Sequence, residues 1–139
     1  MQQHRSLIQW ACRCVEHTIG VLNVKVDDRL LHALSVAKAW QEGAAKTGEA
    51  MKAAVVSHSV ARESVDPVSV AIARAVGHAV ATAHMADHSL GGALYSLKAI
   101  KHAGYPVQEE RKWQNEHIPS DLRDVVLFTL DVKGKSFRI

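Results

Sequence analysis

The sequence predicts an all-α protein, a compact single domain over residues 1–139 with about six or seven helices and a short extended C-terminal tail. Three observations lead there. Apolar residues recur at three- and four-residue spacing along most of the chain. Capping residues and helix breakers interrupt that pattern at helix-length intervals. The apolar content of 47% leans on alanine, with aromatics at only 5%, and alanine is the best helix former while filling little volume.

The elements follow in order. Residues 4–19 set Leu7, Trp10, Ala11, Cys14, Val15 and Thr18 on one helical face, and Gly20 breaks the run. Asp27 and Asp28 supply the cap of a second helix reaching about Glu42. Its inward residues are Leu30, Leu31, Leu34, Ala37 and Trp40, and Gly43 is its stop. A third helix covers about residues 47–63, with Met51, Val55, His58 and Arg62 along one stripe. Asp66-Pro67, a capping acid followed by proline at the first helical position, opens a fourth that runs to about Asp87. Ser89 caps a fifth, ending at Gly104, whose apolar residues are Leu90, Leu94, Leu97 and Ile100. A shorter helix covers about residues 109–117. The last begins at Pro119-Ser120-Asp121, reaches about Leu130 and gives way to the tail, with Lys133-Gly134-Lys135 as a turn.

Composition narrows the function classes. A chain of 139 residues can bury a core of its own. The net charge of +3 comes without a dense Lys/Arg block, so no nucleic-acid partner is expected. No apolar run has the length of a signal peptide or a membrane span, which makes a cytoplasmic protein the default. Cys12 and Cys14 stand two apart on a helix and point nearly opposite ways, so they neither bridge each other nor share a metal. Trp10, Trp40 and Trp113 read as core anchors, and Lys98 and Lys101 as a solvated face. Gly91-Gly92 lacks the spacing and the following Lys-Ser/Thr of a phosphate loop.

The most informative stretch is residues 77–88, where His78, His84, His88 and Asp87 stand among Gly, Ala and Val. On a continuous fourth helix, Ala73, Gly77, Ala81, His84 and His88 form one stripe, and Arg74, His78 and Thr82 a second. The small residues admit a close neighbouring helix. Three readings are open for the polar ones. They are satisfied structural groups in a tight core. Alternatively, His84 and His88, at a four-residue spacing, clamp a Zn or Fe ion with Asp87 or His58 nearby. In the third reading His58, Arg62, Arg74, His78, Thr82, His84 and His88 line a pocket or binding surface. On such a helix His78 lies about 15 Å from His88 along the axis, too far to share an ion. The segment also lacks the Glu between paired histidines of a zinc protease. No catalytic residue is assigned and no cofactor is expected.

One resemblance covers about residues 27–127. Its residues are Asp28-Arg29, Ala33, Ala37-Lys38-Ala39-Trp40, Glu42-Gly43, His58, Ala61-Arg62, and above all the segment 71–88 with Gly77-His78-Ala79-Val80-Ala81-Thr82-Ala83-His84. Ala93, Tyr95, Lys98-Ala99, Arg111, Trp113-Gln114, Pro119 and Leu122-Arg123 continue it. With these residues the chain resembles a family of bacterial immunity proteins associated with polymorphic-toxin systems. The resemblance implies an all-helical single domain that neutralises a partner, the cognate toxin, by binding it; it carries over no catalytic residues. The rival reading is a small helical metal- or ligand-binding protein or enzyme that uses the His-rich fourth helix. A self-pairing helix face reads the same as an intramolecular one, so a homodimer stays open.

Overall fold

The computed structural model describes residues 2–137 and residue 139. Among the described residues the chain forms seven α-helices: α1 (Gln2–Leu22), α2 (Asp28–Gln41), α3 (Thr47–Glu63), α4 (Pro67–Ala81), α5 (His88–His102), α6 (Gln108–Glu116) and α7 (Arg123–Phe137). A 3-10 turn, Ser120–Leu122, leads into α7.

Local chemistry accounts for most of the boundaries. The Asp27 carboxylate accepts the Arg29 N–H at the start of α2, and Asp66 accepts the Ser69 N–H ahead of Pro67 at the start of α4. Gly43 and Gly104 follow α2 and α5 with φ of +78° and +87°, the left-handed conformation that ends a helix at little cost for glycine.

α4 is the hub. It packs chiefly on α5 and α3, and also meets α1 and α2. Ala71, Ile72, Ala73, Ala75, Val76, Gly77, Ala79, Val80 and Ala81 are all buried, so this helix is covered on nearly every side. Small side chains make that feasible, because they let several helices approach one axis. α1 contributes the predicted face of Trp10, Ala11, Cys14, Val15 and Thr18, and α5 the predicted Leu90, Leu94, Leu97 and Ile100, all buried. Both thiols are buried and free.

Several expectations need correction. Ser89, expected to cap α5, is a buried second residue of that helix, which already starts at His88. α1 continues through Gly20 to Leu22, because the glycine stands where the helix is exposed and nothing contests its backbone. Leu31 faces outward at 51% exposure, and Ala33 takes its place in the buried face of α2. At the C-terminus α7 stays helical to Phe137 and runs straight through Gly134. A Cβ there would find only Leu94 of α5, at 4.0 Å, so the glycine lies at a helix contact instead of a turn.

α7 is the least embedded helix. Val126 is its only buried side chain among the described residues. Val125, Phe128 and Val132 form an exposed apolar stripe on it, with Phe128 at 73% exposure.

Candidate functional site

The fourth helix does not reach Asp87. It ends at Ala81, and residues 82–87 reverse the chain in a turn that delivers His88 as the first residue of α5. The turn is held by short-range bonds: Thr82, Ala83 and His84 N–H groups donate to Ala79, Val80 and Ala81 carbonyls at 3.3, 3.2 and 2.9 Å. Thr82, fully buried, turns its hydroxyl back on the His78 carbonyl at 3.2 Å, a bond that competes with helix continuation. The Thr82 carbonyl, which a longer helix would give to the N–H four residues on, is instead engaged by the His4 ring of α1. A partner 78 residues away in sequence therefore helps end the helix.

The turn overturns the expected distances. With His88 on a different helix from His78, the two Nδ1 atoms lie 3.2 Å apart instead of far along one axis. His84 remains in the turn and is exposed, so the four-residue clamp of His84 and His88 on one helix is not formed. Among the described residues no group of three or more His, Cys, Asp or Glu side chains is placed to hold a metal ion.

What forms is a cluster contributed by three helices. Arg74 of α4 places its guanidinium 2.8 Å from Nδ1 of His58 on α3. Guanidinium groups only donate, so His58 Nδ1 accepts and the ring is neutral, with its proton on Nε2. The His58 ring meets the His78 ring edge-on, centroids 5.3 Å apart, and His78 stacks on Tyr95 of α5 at 5.1 Å. Tyr95 in turn meets Phe137 of α7 edge-on at 4.9 Å, with the Lys98 ammonium 5.9 Å from both ring centres. Lys98 is thus half-buried against aromatic faces, not on a solvated helix face. Of the predicted set, the structure brings His58, Arg74, His78, Thr82 and His88 together. It leaves His84 outside and turns Arg62 outward to the Ser59 hydroxyl at 3.0 Å.

Two glycines make room for these rings. A Cβ on Gly77 would lie 2.7 Å from His58 Cε1 and Nε2, and one on Gly91 would lie 2.6 Å from His78 Nδ1 and 2.7 Å from its Cγ. The stripe expected to admit a neighbouring backbone admits an imidazole. Burial first, then the neighbouring basic groups His58, His88, Arg74 and Lys133, pushes His78 down to about 4. His58 is also lowered, by burial and then by Arg74, Arg62 and His88.

His78 and His88 open onto a cleft of about 270 Å³, walled by Gly91, Leu94, Tyr95, Met85 and Phe137, with Asp87 and Lys133 3.8 Å apart at its rim. Sequence reasoning missed Gly91, Tyr95, Lys133 and Phe137. A signal existed for two of them, because residues 88, 91 and 95 share one stripe of α5. Lys133 and Phe137 were hidden by the expected tail.

A second buried polar group lies elsewhere. Glu110 of α6, 4% exposed, accepts from Thr18 Oγ1 and contacts His17 Nδ1, both at 2.8 Å. Trp113 is stacked between His17 and His117 at 3.9 and 4.0 Å, so it is a half-buried platform, unlike Trp10 and Trp40 in the core.

Fold and site together define an all-helical protein with a satisfied polar cluster at the joint of α3, α4 and α5. The chain belongs to the family described as Imm-5 like putative immunity protein, whose model matches residues 1–121. The match takes in α1 with Cys12 and Cys14, beyond the expected start near residue 27, and α7 follows it. No curated protein and no solved structure is significantly similar to the chain. Among the described residues no helix is long and apolar enough to cross a membrane.

Proposed function

We propose that this protein is an immunity protein in the working sense: it neutralises a partner toxin in the cytoplasm of the cell that makes both, by binding it directly. Membership of the immunity family is the observation that carries this reading. The polar cluster supports it as well. Its groups are engaged with one another and with the turn they hold, which suits a scaffold that fixes a surface. The exposed stripe of Val125, Phe128 and Val132 has the apolar character that a protein partner covers.

The test is co-expression of the chain with each candidate toxin encoded beside its gene. A copurifying complex and restored growth are expected with one of them. Absence of both with every neighbouring candidate overturns the reading. Phe128→Glu in the complex should weaken capture at least tenfold while leaving the melting temperature within about 2 °C, as expected for an exposed residue.

A further inference from the structure

We propose that the His58–His78–His88 cluster is an acid-sensitive latch: neutral, it holds the 82–87 turn and α7 against the bundle, and protonated it releases them. This stands on the geometry of the cluster and does not depend on the immunity reading.

The latch follows from proton bookkeeping in a confined space. His58 Nδ1 must accept from Arg74, so a proton there removes the 2.8 Å bond and sets two cations against each other. The 3.2 Å contact between His78 and His88 needs one nitrogen to donate and the other to accept, which two protonated rings cannot do. The groups that face the cluster are mainly cationic. α4 supplies Arg74, α5 Lys98 and α7 Lys133, Arg62 of α3 stands on the outer side, and α1 sends His4 to the turn. Among the described residues Asp87 is the one carboxylate lining the cleft; it is 71% exposed and turned to Lys133. A new positive charge therefore gains no buried partner.

The His58 ring cannot retreat toward α4, nor the His78 ring toward α5, because Gly77 and Gly91 already leave less space there than a methyl group needs. Relief comes by opening toward water. The weak boundary is α7, which has one buried side chain and is tied to the cluster through Phe137 on Tyr95 and Lys133 on Asp87. Its release exposes Leu94 and Leu97 of α5, which face Leu127 and Leu130 of α7 across a cleft of about 300 Å³ that Arg111, Gln114 and Asp131 also line. Because His58 and His78 are both held below their ordinary value of 6.5, their contribution to stability is complete above that pH. It is lost as pH falls toward the folded-state value, about 4 for His78.

Hydrogen exchange read by mass spectrometry on the intact chain tests this, at pH 7.5 and 4.5 with intrinsic rates corrected. Opening of residues 82–87 and 126–137 should rise about tenfold or more at the lower pH relative to α3 and α4. In His78→Phe, which keeps a ring on Tyr95 and cannot titrate, the increase should fall by more than half. An unchanged ratio in the wild-type chain overturns the latch. So does loss of protection spread equally over all helices, or an equal response in His78→Phe.

Discussion

Gly91→Ala should destabilise this protein although it places a better helix former inside a helix. The new methyl would lie 2.6 Å from His78 Nδ1, 2.7 Å from Cγ and 3.0 Å from Cβ. Cβ and Cγ are the near end of the side chain, fixed to α4, so the ring cannot swing clear and α4 and α5 must separate. Overpacking costs about 1–3 kcal/mol, and a clash with the fixed end of a side chain falls in the upper part of that range, about 2–3 kcal/mol. Alanine returns at most about 1 kcal/mol of helix propensity. The net loss is about 1–2 kcal/mol. For 139 residues at about 2.1 cal/mol/K each, the unfolding entropy is near 0.3 kcal/mol/K, so Tm should fall by about 3–7 °C. The control is Gly20→Ala, where a Cβ meets nothing within 4 Å, and there Tm should rise by up to about 3 °C. Differential scanning calorimetry measures both. A Gly91→Ala protein as stable as wild type, or more so, would show that α4 and α5 do not pack this closely around His78.

Three further outcomes are expected. Glu110→Ala should cost about 1–3 kcal/mol in chemical denaturation, because the buried Thr18 hydroxyl loses its 2.8 Å acceptor, and Glu110→Gln should cost less; equal losses would contradict the assigned bond. Cys12 and Cys14 should resist a disulfide reagent at pH 8 in the native protein and both react once it is unfolded. Burial pushes the Cys12 thiol up to about 12, aided by Glu16, and pushes Cys14 up as well, so rapid native labelling would refute their placement. His4→Ala should free the Thr82 carbonyl and raise hydrogen exchange at residues 82–85, with about 1 kcal/mol or less lost globally; unchanged exchange there would remove His4 from the account of the helix end.

Periodicity and caps made the helices legible. α3 has the expected bounds, and the caps of α2 and α4 and the glycines after α2 and α5 act as their chemistry suggests. The candidate site was legible as a list and illegible as an arrangement. Ala, Val and Thr carry no stop between residues 80 and 84, so nothing local separates a long fourth helix from a helix and a turn. That one boundary decided whether His78 and His88 were distant or in contact. The C-terminal tail failed for a similar reason: Gly134 is a breaker in a solvent-exposed helix and a tolerated contact beside Leu94.

By itself, then, the sequence determined an all-helical chain, its alanine-rich central packing and the family it resembles, because each follows from residue types at short spacing. Only the tertiary structure decided which polar residues meet. His4 reaches Thr82, Arg74 reaches His58, and His88 folds back on His78, bonds made across helices whose approach is set by packing. Hydrogen bonds between distant segments leave no periodic trace in a chain. For the same reason Gly77 and Gly91 look like helix-packing residues in the sequence and serve in the fold as spaces for imidazole rings.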